Sequence, residues 1–214
     1  MSGAAPALRR TGPMVALVPA KSFVAAKSRL GEALSPAERQ ALSQSLLARA
    51  LESCLGCAAF DDIYLLTPDA SGPDWAARYD VELLRDAPNA TFDAAIDAAL
   101  DTVAERGARA VCFVASDLPR VDTESLCQLV ADQGEVAVFV AALRDGGTNA
   151  FCMPLPRRIN LRFGADSALR HVERLAAAGV DARVAAIDAL ALDLDLPVDL
   201  AGLPNRAALG TLSS

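Results

Sequence analysis

Short, continuously apolar runs alternate with longer Ala- and Leu-rich stretches along most of the chain, and this alternation narrows the folds open to it. Strands are predicted over residues 15–19, 63–67, 81–84, 110–115, 136–142, 150–154 and 183–187. Helices are predicted from Ser35 to about residue 53, then over 93–105, 123–131 and 167–178, with a last helical turn over 197–200. Ser35-Pro36-Ala37-Glu38 supplies a cap hydroxyl, a first-turn proline and a carboxylate at the third helical position. Leu42, Leu46, Leu47 and Leu51 then recur at helical spacing. Gly179 follows the 167–178 helix as its expected C′ residue. Strands that read as unbroken apolar runs between helices call for a mainly parallel, mixed α/β sheet covered on both faces. The sequence shows no internal repeat, so a single α/β domain is expected over 13–205, with loose tails at 1–12 and 206–214.

A chain of 214 residues buries roughly 70% of its unfolded surface as one domain and needs no disulfide staple. Aromatic residues are only 5%, so Ala, Leu and Val must build most of the core. The formal charge of −7 disfavours a protein that coats nucleic acid, but it leaves room for a small anionic ligand at a local cationic cluster. The five cysteines are an odd number in mostly apolar segments, which suits reduced thiols and a cytoplasmic location. Cys54 and Cys57 have metal-like spacing, yet no second pair answers them, and a buried helix end is the plainer reading. The longest apolar run, residues 136–143, is eight residues against the about twenty that a membrane helix needs. Arg9-Arg10 ahead of residues 14–18 does not make an export signal, because Pro19 and Lys21 interrupt the apolar piece.

Ligands of such sheets bind beyond the carboxyl ends of the strands, which draws attention to the loops there. The segment after the first strand, from Pro19 to Leu30, carries Lys21, Lys27 and Arg29, cations suited to phosphate oxygens or to a solvated loop. It lacks both G-x-G-x-x-G and G-x-x-x-x-G-K-[ST]. After the fourth strand comes Ser116-Asp117-Leu118-Pro119, where Asp117 is either a cation ligand or a turn cap. In Leu192-Asp193-Leu194-Asp195-Leu196-Pro197 an extended backbone would aim Asp193 and Asp195 the same way, a hard-oxygen pair suited to Mg²⁺. Alternatively, Asp195 caps the turn that Pro197 begins. Two anion cradles are candidates: the glycines of Arg144-Asp145-Gly146-Gly147-Thr148-Asn149, which otherwise form a hairpin turn, and Gly164 to Ser167 at a helix N-terminus, otherwise an ordinary cap. The single histidine, His171, fits a structural hydrogen-bonding role best, and it excludes a multi-histidine metal site. Taken together, cationic loop, strand-end aspartates and anion-binding turns suit phosphoryl or nucleotidyl transfer with Mg²⁺.

These residues resemble the phospholactate guanylyltransferase family (CofC/FbiD), which acts in coenzyme F-420 biosynthesis. The likeness runs from Pro19-Ala20-Lys21 and Ala26-Lys27-Ser28-Arg29-Leu30 through Leu34 to Arg39, Ser116 to Pro119, Gly147 to Ala150, Phe163-Gly164-x-x-Ser167 and Asp193 to Leu200. It spans residues 14 to about 202 in the family's order. The resemblance implies a Rossmann-like nucleotidyltransferase fold of the nucleotide-diphospho-sugar transferase type. It also implies an enzyme that joins GTP to 2-phospholactate, phosphoenolpyruvate or 3-phosphoglycerate, releasing pyrophosphate. By position it implies Asp117, Asp193 and Asp195 as Mg²⁺ ligands, and Thr148, Asn149, Gly164 and Ser167 at the phospho-acid. Pro19, Lys21, Lys27 and Arg29 would lie at the GTP, the three cations being the catalytic groups, and a homodimer is a further expectation. Where the family reads Leu-Asn-Ala-Ala on the nucleotide side, this chain has Phe92-Asp93-Ala94-Ala95, so Asp93 replaces two amide donors with a carboxylate. A related transferase using another nucleotide or acceptor, and a non-catalytic nucleotide-binding protein, are the competing readings.

Overall fold

The computed structural model describes residues 12–23, 27–86, 90–132 and 135–202. The expected tails lie outside these residues apart from Gly12. Seven strands, β1 (Met14–Pro19), β2 (Asp62–Leu66), β3 (Glu82–Leu84), β4 (Ala110–Val114), β5 (Ala137–Ala141), β6 (Thr148–Pro154) and β7 (Ala182–Val184), form one sheet in the order 3-2-1-4-6-5-7. The strand β6 runs antiparallel to β4 and β5, and the other pairings are parallel. The helices are α1 (Pro36–Gly56), α2 (Gly72–Tyr79), α3 (Phe92–Glu105), α4 (Thr123–Leu129), α5 (Ser167–Ala177) and the single turn α6 (Asp188–Ala191).

Every residue of β1 and β4 is buried, so each strand feeds two cores by simple alternation. Met14, Ala16 and Val18 pack with Leu47, Leu51 and Cys54 of α1 and with Leu126 and Leu129 of α4. Val15 and Leu17 face Ile96, Leu100 and Val103 of α3 and Leu175 of α5. A third, smaller cluster joins Leu30, Leu34, Leu42 and Leu46 to Leu194 and Leu200, and thereby clamps the last described segment onto the loop after β1.

The expected capping box of α1 is formed: Glu38 N–H donates to Ser35 Oγ at 3.3 Å, and Ser35 N–H donates to the Glu38 carboxylate at 2.8 Å. Cys54 lies in the last turn of α1 and Cys57 at its C-cap. The strand expected over 183–187 is shorter, because the chain turns into α6 from Ile187, and β6 starts earlier than expected, at Thr148. The sequence reading did not anticipate α2, whose Gly72-Pro73 start and eight-residue length leave little periodic signal. No helix among the described residues is long and apolar enough to cross a membrane.

Candidate active site

The order of the strands places β2 on one side of β1 and β4 on the other, so a crevice opens where the chain leaves β1 and β4 in opposite directions. Three segments meet there. Ala20 N–H donates to Leu66 O at 2.9 Å and starts the loop that carries Lys21. Asp117 follows β4, and its carbonyl accepts Leu194 N–H at 3.1 Å, so residues 193–195 run beside it. The resulting cavity, about 370 Å³, is lined by Pro19, Lys21, Lys27, Asp117, Thr148, Gly164, Asp193 and Asp195 among others.

Lys27 Nζ sits between two carboxylates, 2.8 Å from Asp117 Oδ2 and 3.2 Å from Asp195 Oδ1, with its side chain only 9% exposed. Burial opposes its charge, but Asp117 and then Asp195 outweigh that and hold the ammonium above the ordinary lysine range. The residue is in the left-handed region at φ 55°, a conformation that a non-glycine residue keeps only where its surroundings fix it. The exposed Arg29 reaches Asp195 at 3.5 Å. Lys21 lies 5.7 Å above the Phe92 ring.

Asp193 is the strained member of the set. Burial first, then the fields of Asp117 and Asp195, push its carboxyl above the usual range, and Arg144 at 3.9 Å relieves this only in part. Arg144 is shared with Asp199, whose carboxylate also accepts Asp195 N–H at 2.9 Å and Leu196 N–H at 2.7 Å. The Pro197 turn is thus fastened by Asp199 and not by Asp195, which is left facing Lys27. Asp117, Asp193 and Asp195 form a hard-oxygen set with excess negative charge, which fits a divalent cation in kind, since Mg²⁺ takes one or two carboxylates and completes its shell with water and phosphate. Among the described residues no three acidic, histidine or cysteine groups stand close enough to share one ion. The expected three-carboxylate centre is therefore a set of donors around Lys27, not a gathered cluster.

Where Thr148 lines the cavity, His171 behind it organises the hydroxyl groups. Its Nε2 accepts Arg162 N–H at 2.9 Å, so its proton is on Nδ1, which lies 3.2 Å from Thr148 Oγ1. Ser167 Oγ is 2.8 Å from the same oxygen and has no other hydrogen-bond partner among the described residues. If Ser167 were the acceptor, its own hydrogen would be buried without a partner. Ser167 therefore donates to Thr148, and the Thr148 hydroxyl hydrogen is left for the cavity. Burial first, then Arg174 and Arg170, lower the His171 pKa to about 4, with Asp93 opposing. A base whose folded pKa lies below its unfolded value gives stability that is present above the unfolded pKa and is lost as pH falls toward the folded one. Between pH 6.5 and 4 this group alone should remove roughly 3 kcal/mol. Urea unfolding across that window should give a shallower loss for His171→Asn than for the unaltered chain, and equal slopes would contradict the assignment.

Several expected contacts are corrected by these bonds. Ser167 is fully buried behind Thr148 and does not border the cavity. Asn149 borders it, but both amide hydrogens go to Leu190 O and Ala191 O, at 3.1 and 3.0 Å, so its role is to fasten α6 ahead of Asp193. Gly146 and Gly147 do not offer an anion nest: their N–H groups are held by Ala142 O and Asp145 Oδ1 in a β5–β6 hairpin turn. At the start of α5, the N–H groups of Ser167 and Ala168 are likewise taken, by Gly164 O and Gly146 O. Gly164, at φ +116°, faces open space where a Cβ would be, and it remains a place where a ligand can approach the backbone. Asp93 lies outside the cavity and accepts Phe163 N–H at 3.2 Å, while its neighbour Phe92 lines the cavity wall. Arg144, Asp199 and Phe92 were not singled out by the sequence as site residues.

This sheet order and crevice belong to a mixed α/β fold that solved nucleotidyl transferases share. A solved Desulfovibrio desulfuricans structure assigned to the nucleotide-diphospho-sugar transferases shares the fold at a TM-score of 0.70 and 17% identity, covering 89% of this chain and 85% of that one. The chain belongs to the CofC-like guanylyl transferase family, whose model matches residues 14–204. It is 33% identical over 201 residues to a phosphoenolpyruvate guanylyltransferase of Sphaerobacter thermophilus, covering 93% of this chain and 96% of the relative. It is 29% identical to a 3-phospho-D-glycerate guanylyltransferase of Phenylobacterium zucineum, covering 86% of each.

Proposed function

We propose that this protein transfers the guanylyl group of GTP to the phosphate of a small phosphorylated carboxylic acid, of the phosphoenolpyruvate, 3-phosphoglycerate or 2-phospholactate class, with Mg²⁺. The family resemblance supports a role for such a reaction in coenzyme F-420 biosynthesis. The observation that carries the reading is the meeting of Lys27 with Asp117 and Asp195 at the ends of β1 and β4, across one cavity from Thr148 and Gly164. Lys21 and Lys27 of the cavity lining suit a triphosphate, and Thr148 and Gly164 an anionic acceptor.

An acceptor phosphate oxygen attacks the α-phosphorus of GTP. The new P–O bond forms as the bond to the β-phosphate bridging oxygen breaks, and pyrophosphate leaves with that electron pair. The nucleophile is already ionised near neutral pH, so no general base or covalent residue is needed. Lys21, Lys27 and Arg29 neutralise the triphosphate, and the Thr148 hydroxyl and the backbone at Gly164 hold the acceptor. One or two of Asp117, Asp193 and Asp195 would hold the divalent cation, with water and phosphate completing its shell, and when bound it would neutralise phosphate charge and favour the leaving group.

Mass spectrometry of products from GTP, Mg²⁺ and each of the three phospho-acids tests this directly. At least one reaction should yield the guanylyl diphosphate diester with stoichiometric pyrophosphate. No product from any acceptor, or product only with ATP, CTP or UTP, would refute guanylyl transfer.

A further inference from the structure

A second cavity, about 220 Å³, adjoins the first, and Lys21 and Phe92 line both. It follows the carboxyl ends of β2 and β3, away from Thr148 and Gly164. Leu66 and Pro68 form its apolar wall, and Asp86, two residues past β3, contributes the carboxylate. Asp86 Oδ1 is shut off from solvent and has no hydrogen-bond partner among the described residues. A buried acceptor without a donor is costly, and a ligand entering the cavity that Asp86 lines would relieve this once the carboxylate turns that oxygen toward the ligand's donors. Burial correspondingly raises the Asp86 carboxyl above the ordinary range.

A mostly apolar cavity with one carboxylate suits a flat ring bearing adjacent N–H donors. Guanine has such an edge, with N1–H beside the 2-amino group. Adenine and cytosine place an acceptor beside their amino donor, and uracil flanks its N–H with two carbonyls. We propose that Asp86 is the specificity-determining residue of the nucleotide site, accepting N1–H and the 2-amino group of guanine while the base packs against Leu66, Pro68 and Phe92. A substrate so placed sends its phosphates past Lys21 toward Lys27. The assignment rests on the reading that GTP is the donor, and it names the residue that makes the choice.

The test is a nucleotide matrix with the turnover-competent phospho-acid: GTP, ITP (no 2-amino group) and XTP (a carbonyl in its place), with ATP and CTP alongside. The unaltered enzyme should favour GTP over ITP by about 10-fold or more, and over XTP by about 10³-fold, since two acceptors would then oppose each other. Asp86→Asn presents an acceptor to N1–H and a donor to the xanthine carbonyl. It should lose about 10²-fold in kcat/KM with GTP and use XTP better than GTP. Calorimetric binding of GDP, IDP and XDP to the unaltered protein should follow the same order, a readout that does not depend on how the variant folds. A variant that still prefers GTP to XTP, or equal binding of the three diphosphates, would overturn the role of Asp86 while leaving guanylyl transfer standing. An unaltered enzyme that prefers ATP or CTP would instead refute the donor itself.

Discussion

Lys27→Met is expected to lower kcat/KM for guanylyl transfer by about 10²–10³-fold, the usual loss when one preorganised charge is removed from a transition state. Methionine keeps the length of the side chain and removes the ammonium that now lies between Asp117 and Asp195. Those carboxylates are about a third exposed, so water screens the charge left behind, and the stability loss should be only about 1 kcal/mol. The activity loss should therefore far exceed any effect of unfolding. Calorimetric titration adds a readout of opposite sign: Mg²⁺ should bind more tightly to the variant, because the lysine no longer competes for Asp117 and Asp195. Lys27→Arg should recover part of the activity, since the charge returns without the same reach from a left-handed backbone. A methionine variant within threefold of the unaltered enzyme would remove Lys27 from the chemistry.

Much of this site could be read in the sequence because the sheet is mostly parallel. Fully buried strands appear as unbroken apolar runs, and the first charged residues after them, Lys21 and Asp117, must stand at the carboxyl edge. The meeting of Asp117 with residues 193–195 is expected from the strand-end position of the aspartates and from the family resemblance, but neither supplies the contact. The physical cause is tertiary: the Leu194 amide bonded to Asp117 O and the leucine cluster around Leu30 and Leu194. Where the sequence reading failed, the choice lay between partners that local spacing does not distinguish. A Thr and a Ser in the expected order do not reveal which hydroxyl faces the cavity, and here burial on α5 turns Ser167 inward. Two glycines permit an anion nest or a hairpin turn, and Asp145 settles it by accepting Gly147 N–H. The carboxylate of Asp86 gave no signal at all, because β3 is three residues long and what marks Asp86 is a missing partner, not a pattern.

Asp193→Asn separates function from stability in opposite directions. The Asp193 carboxyl is raised by burial and by Asp117, so its charged form costs the folded state something that the unfolded chain does not bear. That cost grows as pH rises through the carboxylate range and is fully present at neutral pH. Asparagine removes it while keeping the shape, so without Mg²⁺ the variant should melt higher than the unaltered chain at pH 7, and the difference should shrink toward pH 4. Addition of Mg²⁺ should raise the melting temperature of the unaltered protein and leave the variant nearly unmoved. Activity should fall by about 10²–10³-fold at a fixed Mg²⁺ concentration and recover in part at higher concentration. Arg144 sharpens the expectation: it is held by Asp199, so the loss of the Asp193 charge does not set it free to distort the turn that carries Asp195. A variant that is less stable than the unaltered chain without Mg²⁺, yet fully active, would mean that Asp193 is a structural carboxylate satisfied by Arg144. Any divalent cation would then have to be held by Asp117 and Asp195 alone.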